Sequence, residues 1–379
     1  MVIFACKEPE WESRVVLTPD SAAKLVKLGL QVQVEAGIGA SLFLPDESYR
    51  AAGAEVVADA AAALEGADVV LRLNPPPPYF IRSLRRGSLL ISFLDPFLKP
   101  ELVSALAETG VDSLCMELVP RSTYAQKMDA LSSQASLAGY AATVLAADRI
   151  DKSLPMMSTP AGTIQPARVF VVGVGVAGLQ AIATAKRLGA RVSAYDTRPV
   201  VEEQVKSLGA RFVKLGVQGG QTDQGYAREL TEEELELQRE QMLKVCAESD
   251  IVITTAQVFG RPAPRIITAK MVAAMRPGSV IVDLAASSGG NVEGTQPGKE
   301  TVVNGVRIVG LTSFPSLVAR DASQMYSNNV FSLIEHALDP ETLQLRLDDP
   351  ADEVISSTLL TRNGAVLHEG VRKTMEANA

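Results

Sequence analysis

Residues 168–198 read RVFVVGVGVAGLQAIATAKRLGARVSAYDTR. β-Branched residues fill the run to Val172, glycines stand at Gly173, Gly175 and Gly178, and a small-residue, helix-forming run follows before a second strand-like stretch reaches Asp196. This spacing predicts a strand, a tight glycine turn and a helix whose N-terminus faces that turn. Glycine lets the turn close and lets a pyrophosphate approach the free N–H groups of the first helical turn, where the helix dipole favours negative charge. Three glycines alone are a weak signal. With the strand, the helix and an acid about 20 residues on, they indicate a dinucleotide site. Asp196 can accept from both hydroxyls of a ribose and would repel a 2′-phosphate, so NAD(H) is expected over NADP(H). Arg198, two residues later, could accommodate such a phosphate and softens that preference. The expected cofactor contacts are Gly173, Gly175, Val176, Gly178, Asp196, Thr197 and Arg198, with Gln257 from the strand end DIVITTAQ (250–257).

The same alternation of strand and helix patterns extends in both directions. Upstream, MVIFAC (1–6), LQVQVEAG (30–37), ADVVLRLN (67–74), GSLLISFL (87–94) and VDSLCMEL (111–118) read as strands. Between them lie helix patterns such as TPDSAAKLVKLG (18–29), with Thr18 as cap and Pro19 at the first helical position. Downstream, SVIVDLAASSGGN (279–291) is a further strand with a glycine-rich end. The expected fold class is therefore α/β: two Rossmann-like domains with parallel sheets, separated by a cleft and joined by the long helices QASLAGYAATVLAADRI (134–150) and VARDASQMYSNNVFSLIEHAL (318–338). Residues 1–139 with 319–379 are expected to form one domain and 140–318 the nucleotide-binding one. NPPPPYF (74–80) reads as a polyproline-like surface connection and not as a helix.

Composition narrows the function classes. A chain of 379 residues with 47% hydrophobic and 21% charged residues can bury more than one core, so disorder is excluded. The net charge of -8 and pI near 5.1 argue against nucleic acid as a partner. Cys6, Cys115 and Cys246 are too scattered for a disulfide framework or a thiolate metal site, and no metal is expected. The start of the chain lacks a secretory pattern, and the most apolar run is interrupted by the glycines of the turn, so no membrane span is expected.

RSTYAQKMDALSSQAS (121–136) gathers Arg121, Gln126, Lys127, Asp129, Ser132 and Gln134 in one short segment. It is either a solvated helix start capped by Asp129 or part of a site. The two histidines, His336 and His368, read as a packed helix position and a solvated tail, so a histidine acid or base is disfavoured. Reducing a carbonyl with NADH needs a proton donor, whereas hydride passing between two nicotinamides needs only position, polarity and exclusion of water. A cluster without an obvious acid fits the second chemistry. The loop LGVQGGQTDQGYAREL (215–230) is either a surface hairpin or a lid that lays Tyr226, beside Gly225, over bound nucleotide. DLAASSGGN (283–291) is either a simple turn or a close backbone approach to the nicotinamide.

Taken together, RSTYAQKMDALSSQASLAGYAA, the glycine turn, GYARELTEEE, DIVITTAQVFGRPAPRIIT and DLAASSGGNVE closely resemble the NAD(H)-binding components of proton-translocating nicotinamide nucleotide transhydrogenases. The resemblance runs from RVVLTP near the start to the SNN helix. It implies that Arg121, Gln126, Asp129 and Ser132 form a loop closing over the nicotinamide, that Gln126 reaches toward the second nucleotide, and that Tyr226 belongs to a mobile lid; Lys127 joins the cofactor contacts. It further implies a homodimer, an NADP(H)-binding partner subunit and a membrane-spanning proton-channel subunit. The chain would then be a cytoplasmic, peripheral component on the cytoplasmic face of the inner membrane. Alanine dehydrogenases are the related family, but their substrate lysine and histidine align with Leu73–Asn74–Pro75 and Leu94–Asp95–Pro96, while Arg14 matches their substrate arginine. A self-contained alanine-type dehydrogenase and an NAD-sensing interaction module are the alternatives.

Overall fold

The structure is a computed structural model that describes residues 1–215, 232–258 and 260–378. Tyr226 and Gly225 lie outside the described residues. By contacts the chain divides into two compact units, Met1–Gln134 with Pro315–Ala379, and Ala135–Phe314.

In the first unit an eight-stranded sheet runs, edge to edge, through Ala365–Val366, Leu359–Arg362, Asp112–Cys115, Leu89–Ser92, Val69–Leu71, Val2–Ala5, Gln31–Glu35 and Glu55–Val57. Six of these pair in parallel; the two C-terminal strands extend the edge antiparallel. Strand alternation sends Ile3 and Ala5 into one core and Phe4 and Cys6 into another, so both faces are covered, as a parallel sheet requires. Helix Ala319–Ala337 closes one face, burying Tyr326, Val330, Leu333 and Ile334. Its small polar residues serve as anchors: Ser323 Oγ accepts from the Val15 N–H at 2.8 Å and Ser327 Oγ from the Thr18 N–H at 3.0 Å.

Two local expectations change here. Thr18 does stand at the N-cap of helix Pro19–Lys27, but its side chain makes no capping bond; the hydroxyl turns to Ser327 Oγ at 3.4 Å. The end of NPPPPYF is helical after all, because Pro78 sits in the first turn of Pro78–Arg82, where a missing N–H costs nothing, and Ile81 then reaches the core.

In the second unit seven strands run in the order Arg211–Phe212, Arg191–Tyr195, Arg168–Val172, Ile251–Thr254, Val280–Asp283, Val306–Gly310 and Lys299–Val303, all parallel but the last. Each sheet thus has its first strand in the middle, two later strands stacked to one side and the fourth onward to the other. This is the doubly wound, Rossmann-like order, with winding reversing beside the first strand, where such sheets present their ligand crevice. Met157–Thr159 and Gly162–Ile164 form a separate two-stranded hairpin. Among the described residues, no helix is long and apolar enough to cross a membrane.

Candidate functional site

The glycine turn follows strand Arg168–Val172 and opens helix Val176–Arg187. Gly173 has φ +94°, which L side chains rarely adopt, and a Cβ there would meet Thr255 Oγ1 at 2.8 Å. Gly178 needs its missing side chain for space: a Cβ would lie 2.0 Å from the Gly173 carbonyl oxygen. Gly175 differs, since a Cβ there would meet nothing within 4 Å. Gly175 and Val176 are exposed, so the N–H groups of the first helical turn open outward, as an approaching pyrophosphate would require. Two further contacts tighten the cradle. Thr255 Oγ1 donates to the Gly173 carbonyl at 3.0 Å, across the reversal of winding, and Gly139 in helix Ala130–Arg149 leaves room for the Ala177 carbonyl, 2.1 Å from where its Cβ would stand.

Asp196 ends the neighbouring strand, as read from the sequence, but it already has partners. Its carboxylate accepts from the Val174 N–H at 2.7 Å and from the Arg198 N–H, Nε and Nη2 at 2.8, 3.0 and 3.0 Å. Burial alone would raise its pKa; the hydrogen bonds of Arg198 and Val174 and the Arg198 charge outweigh that and hold it below the usual carboxylate value. Arg198 Nη2 also reaches the Val174 carbonyl at 3.2 Å, so the arginine bridges the turn and the acid. A ribose would have to exchange with this guanidinium. Thr197 is exposed, and Gln257 is an exposed side chain that donates to the Leu284 carbonyl at 3.3 Å.

The segment DLAASSGGN resolves into a turn with a built interior. Buried Asp283 accepts from the N–H groups of Ala285, Asn291 and Val292 and from the hydroxyls of Thr254 and Thr295. Buried Asn291 accepts from the Ala256 N–H and donates to the carbonyls of Ala256 and Pro264. Sequence reasoning passed over Thr255, Asp283 and Asn291; an acid and an amide bracketing a small-residue run at a strand end were the available signal.

In the first unit, the 121–134 segment is rooted and displayed at once. Ala125, Met128 and Ala130 are fully buried in the core, while Arg121, Gln126 and Lys127 between them are exposed. Asp129 accepts from the Ser132 N–H at 2.8 Å and the Ser132 hydroxyl at 2.6 Å, as a helix-capping carboxylate does. Gln134 turns inward, donating to the Ala322 carbonyl and accepting from Arg14.

Beside the first strand of this sheet, where a ligand crevice would open, the chain places its own charges. Glu12 and Arg14, 4% and 6% exposed, form a forked pair, Nε to Oε1 at 2.9 Å and Nη2 to Oε2 at 2.7 Å. Glu12 also accepts from Asn74 Nδ2 at 3.1 Å and Ser316 Oγ at 2.6 Å. Glu8 accepts from the Leu73 N–H at 2.8 Å and pairs with Arg72 at 3.4 Å. Burial works to raise the Glu12 pKa, but Arg14 and Ser316 together bring it below the ordinary value. Its contribution to stability is therefore complete above the unfolded-chain carboxylate range, near pH 4, and is lost as pH falls through it. Glu12→Gln, which breaks a buried pair, should cost about 3–5 kcal/mol at pH 7. Its thermal midpoint should fall well below wild type there and converge on it toward pH 3; a gap that stays constant with pH would contradict the linkage.

Family models match both halves of this architecture: the alanine dehydrogenase/PNT N-terminal domain over residues 5–138 and the alanine dehydrogenase/PNT C-terminal domain over residues 142–369. The chain belongs to the alanine dehydrogenase/PNT family. Within it, the chain is 44% identical to an NAD(P) transhydrogenase subunit alpha chain of Rhodospirillum rubrum over 367 residues, covering 94% of this chain and 95% of that one. A crystal structure of transhydrogenase from Sinorhizobium meliloti superposes with a TM-score of 0.84 at 43% identity, covering 98% of this chain and 100% of the other. Alanine dehydrogenase of Bacillus subtilis is 27% identical, covering 96% of this chain and 92% of the relative. The resemblance read from the sequence motifs thus holds along the whole family member. The C-terminal family model runs past Phe314, whereas by contacts Pro315 onward packs in the first unit.

Proposed function

We propose that this alanine dehydrogenase/PNT family member is the NAD(H)-binding subunit of a proton-translocating transhydrogenase. The observation that carries this reading over an amino-acid dehydrogenase is the Arg14–Glu12 pair. In alanine dehydrogenases the matching arginine is expected to take the substrate carboxylate; here that guanidinium is forked onto an internal carboxylate, among Asn74 and Gln134, with Leu73 and Leu94 where the family's lysine and histidine would stand. An NAD-sensing module has no specific observation in its favour.

The chain's own groups divide the work. Gly173, Gly175 and Gly178 leave room for the pyrophosphate, the N-terminus of helix Val176–Arg187 supplies N–H donors, and Asp196 accepts from the adenosine ribose after exchanging with Arg198. Arg121, Gln126, Asp129 and Ser132 orient the nicotinamide end, with the buried roots at Ala125 and Met128 limiting their freedom. When bound, NADH supplies the hydride, which NADP⁺ on a partner subunit accepts. No residue of this chain then has to give or take a proton, and proton movement belongs to a membrane-spanning partner, against which this subunit sits peripherally on the cytoplasmic face.

Asp196→Ala should lower the preference for NADH over NADPH by about tenfold, since one good charged hydrogen bond corresponds to roughly 1.5–3 kcal/mol; an unchanged ratio in a binding titration would remove Asp196 from the ribose. A homodimer is also proposed, supported by the hairpin, whose strands are exposed along their whole length and leave Met156, Met157 and Ile164 at 61%, 43% and 48% exposure. Met157→Glu with Ile164→Lys should yield a monomer in sedimentation, and an unchanged mass would move the interface elsewhere.

The deciding experiment is NADH fluorescence with the purified protein, first with pyruvate and ammonium, then with NADP⁺ and the partner subunits. NADH binding without consumption in the first and hydride transfer in the second supports the reading. Steady consumption with pyruvate and ammonium would replace it with the dehydrogenase.

A further inference from the structure

His336 read from the sequence as a packed helix position, yet both of its ring nitrogens are engaged. Nε2 lies 2.8 and 3.0 Å from the two carboxylate oxygens of Asp352, and Nδ1 lies 3.1 Å from the hydroxyl of Tyr124. The Tyr124 and His336 rings meet edge to face, with centroids 5.5 Å apart. Asp352 is itself fixed, because it caps helix Glu353–Thr358 by accepting from the N–H groups of Val354 and Ile355. Burial pushes its pKa up, and the bonds from His336 and those two N–H groups more than reverse that, so it is an ionised acceptor. A neutral imidazole then carries its proton on Nε2 toward Asp352 and accepts the Tyr124 O–H at Nδ1.

Tyr124 stands two residues before Gln126. Its hydroxyl bond belongs to a row of contacts that lays the segment along helix Ala319–Ala337: Asn329 Nδ2 donates to the Lys127 carbonyl at 2.9 Å, Ser133 Oγ donates to Asn329 Oδ1 at 2.7 Å, and Lys127 Nζ approaches Glu335 at 3.5 Å. Tyr124 is 66% exposed, so its bond to His336 adds little to stability, as exposed polar contacts generally do. What the bond does is hold the far end of a segment whose other anchors, Ala125 and Met128, lie on one side of it.

We propose that His336, oriented by Asp352, is a positioning residue for hydride transfer that acts through Tyr124 to fix the backbone of residues 124–129 and so the reach of Gln126. The proposal rests on the transhydrogenase reading above. Tyr124 and His336 touch neither cofactor nor substrate in it.

The test uses the full chain assembled with its NADP(H)-binding and membrane subunits, comparing wild type with Tyr124→Phe, His336→Gln and the double variant. Tyr124→Phe removes a single exposed hydroxyl and leaves the fold alone. Hydride transfer should slow about tenfold in each variant, because misplacing a reacting group by a fraction of an ångström is costly. NADH affinity should stay within about twofold, and the double variant should be no slower than the singles, since both cut one connection. Amide hydrogen exchange in residues 122–129 should quicken in both single variants. A wild-type assembly that transfers hydride, with variants of unchanged rate or unchanged exchange, would overturn the proposal alone. A wild-type assembly that transfers none would overturn the parent reading and the proposal with it. Equal losses of affinity and rate would show His336 supporting the fold in general and would also overturn it.

Discussion

Gly178→Val should cost the protein its nucleotide binding and much of its second unit's stability. A Cβ at this position would lie 2.0 Å from the Gly173 oxygen, 3.0 Å from the Gly173 carbonyl carbon and 3.3 Å from Thr255 Oγ1. The first two are backbone atoms of the turn itself, which cannot swing aside as a side chain would. Relief requires the helix to lift from the strand, breaking the approach on which the anion cradle depends. Overpacking of this kind costs about 1–3 kcal/mol or more, and NADH affinity should fall at least tenfold. Gly175→Ala is the informative companion, because its added methyl meets nothing within 4 Å of the protein. The nucleotide-free Gly175→Ala protein should melt with wild type yet bind NADH about tenfold more weakly, the methyl colliding only with a ligand. Calorimetry and NADH fluorescence on the pair separate the roles. A Gly175→Ala protein that binds normally would place the pyrophosphate elsewhere.

For Gln126→Asn the expected result is a hydride-transfer rate down about 100-fold with NADH affinity changed by less than about threefold. Asparagine keeps the amide and shortens its stem by one methylene, so hydrogen-bonding capacity survives while reach does not. Ala125 and Met128 are fully buried on either side and prevent the backbone from moving out to compensate. A group acting by geometry in the transition state shows its loss in rate, and one acting in ground-state binding shows it in affinity. Single-turnover mixing of the NADH-loaded subunit with its NADP⁺-loaded partner measures the first, and equilibrium fluorescence the second. Matching losses in both would reduce Gln126 to a binding contact.

The α/β class and the strand–glycine–helix unit were legible in residues 168–198 because they depend on local periodicity: β-branched runs of strand length, glycines at fixed spacing and an acid at the next strand end. The exposed display of Arg121 and Gln126 was legible for the same reason, since polar residues alternate there with Ala125 and Met128. What a linear reading left open depends on partners distant in the chain. That Asp196 is held by Arg198 and the Val174 N–H, and that Asp283 and Asn291 build the turn beneath DLAASSGGN, follows only once the strands are side by side. Pro78 reads as a helix breaker until its place in a first turn is known. Arg14 reads as a substrate arginine until Glu12 is found forked onto it, and His336 reads as packing until Tyr124, 212 residues away in sequence, reaches its ring. The sequence by itself determined which elements form and where a dinucleotide turn lies, because backbone preference and hydrophobic period act over a few residues. Only the tertiary structure decided which charges neutralise one another and which side chains are held, because burial and hydrogen bonding are settled by whatever the fold brings within about 3 Å.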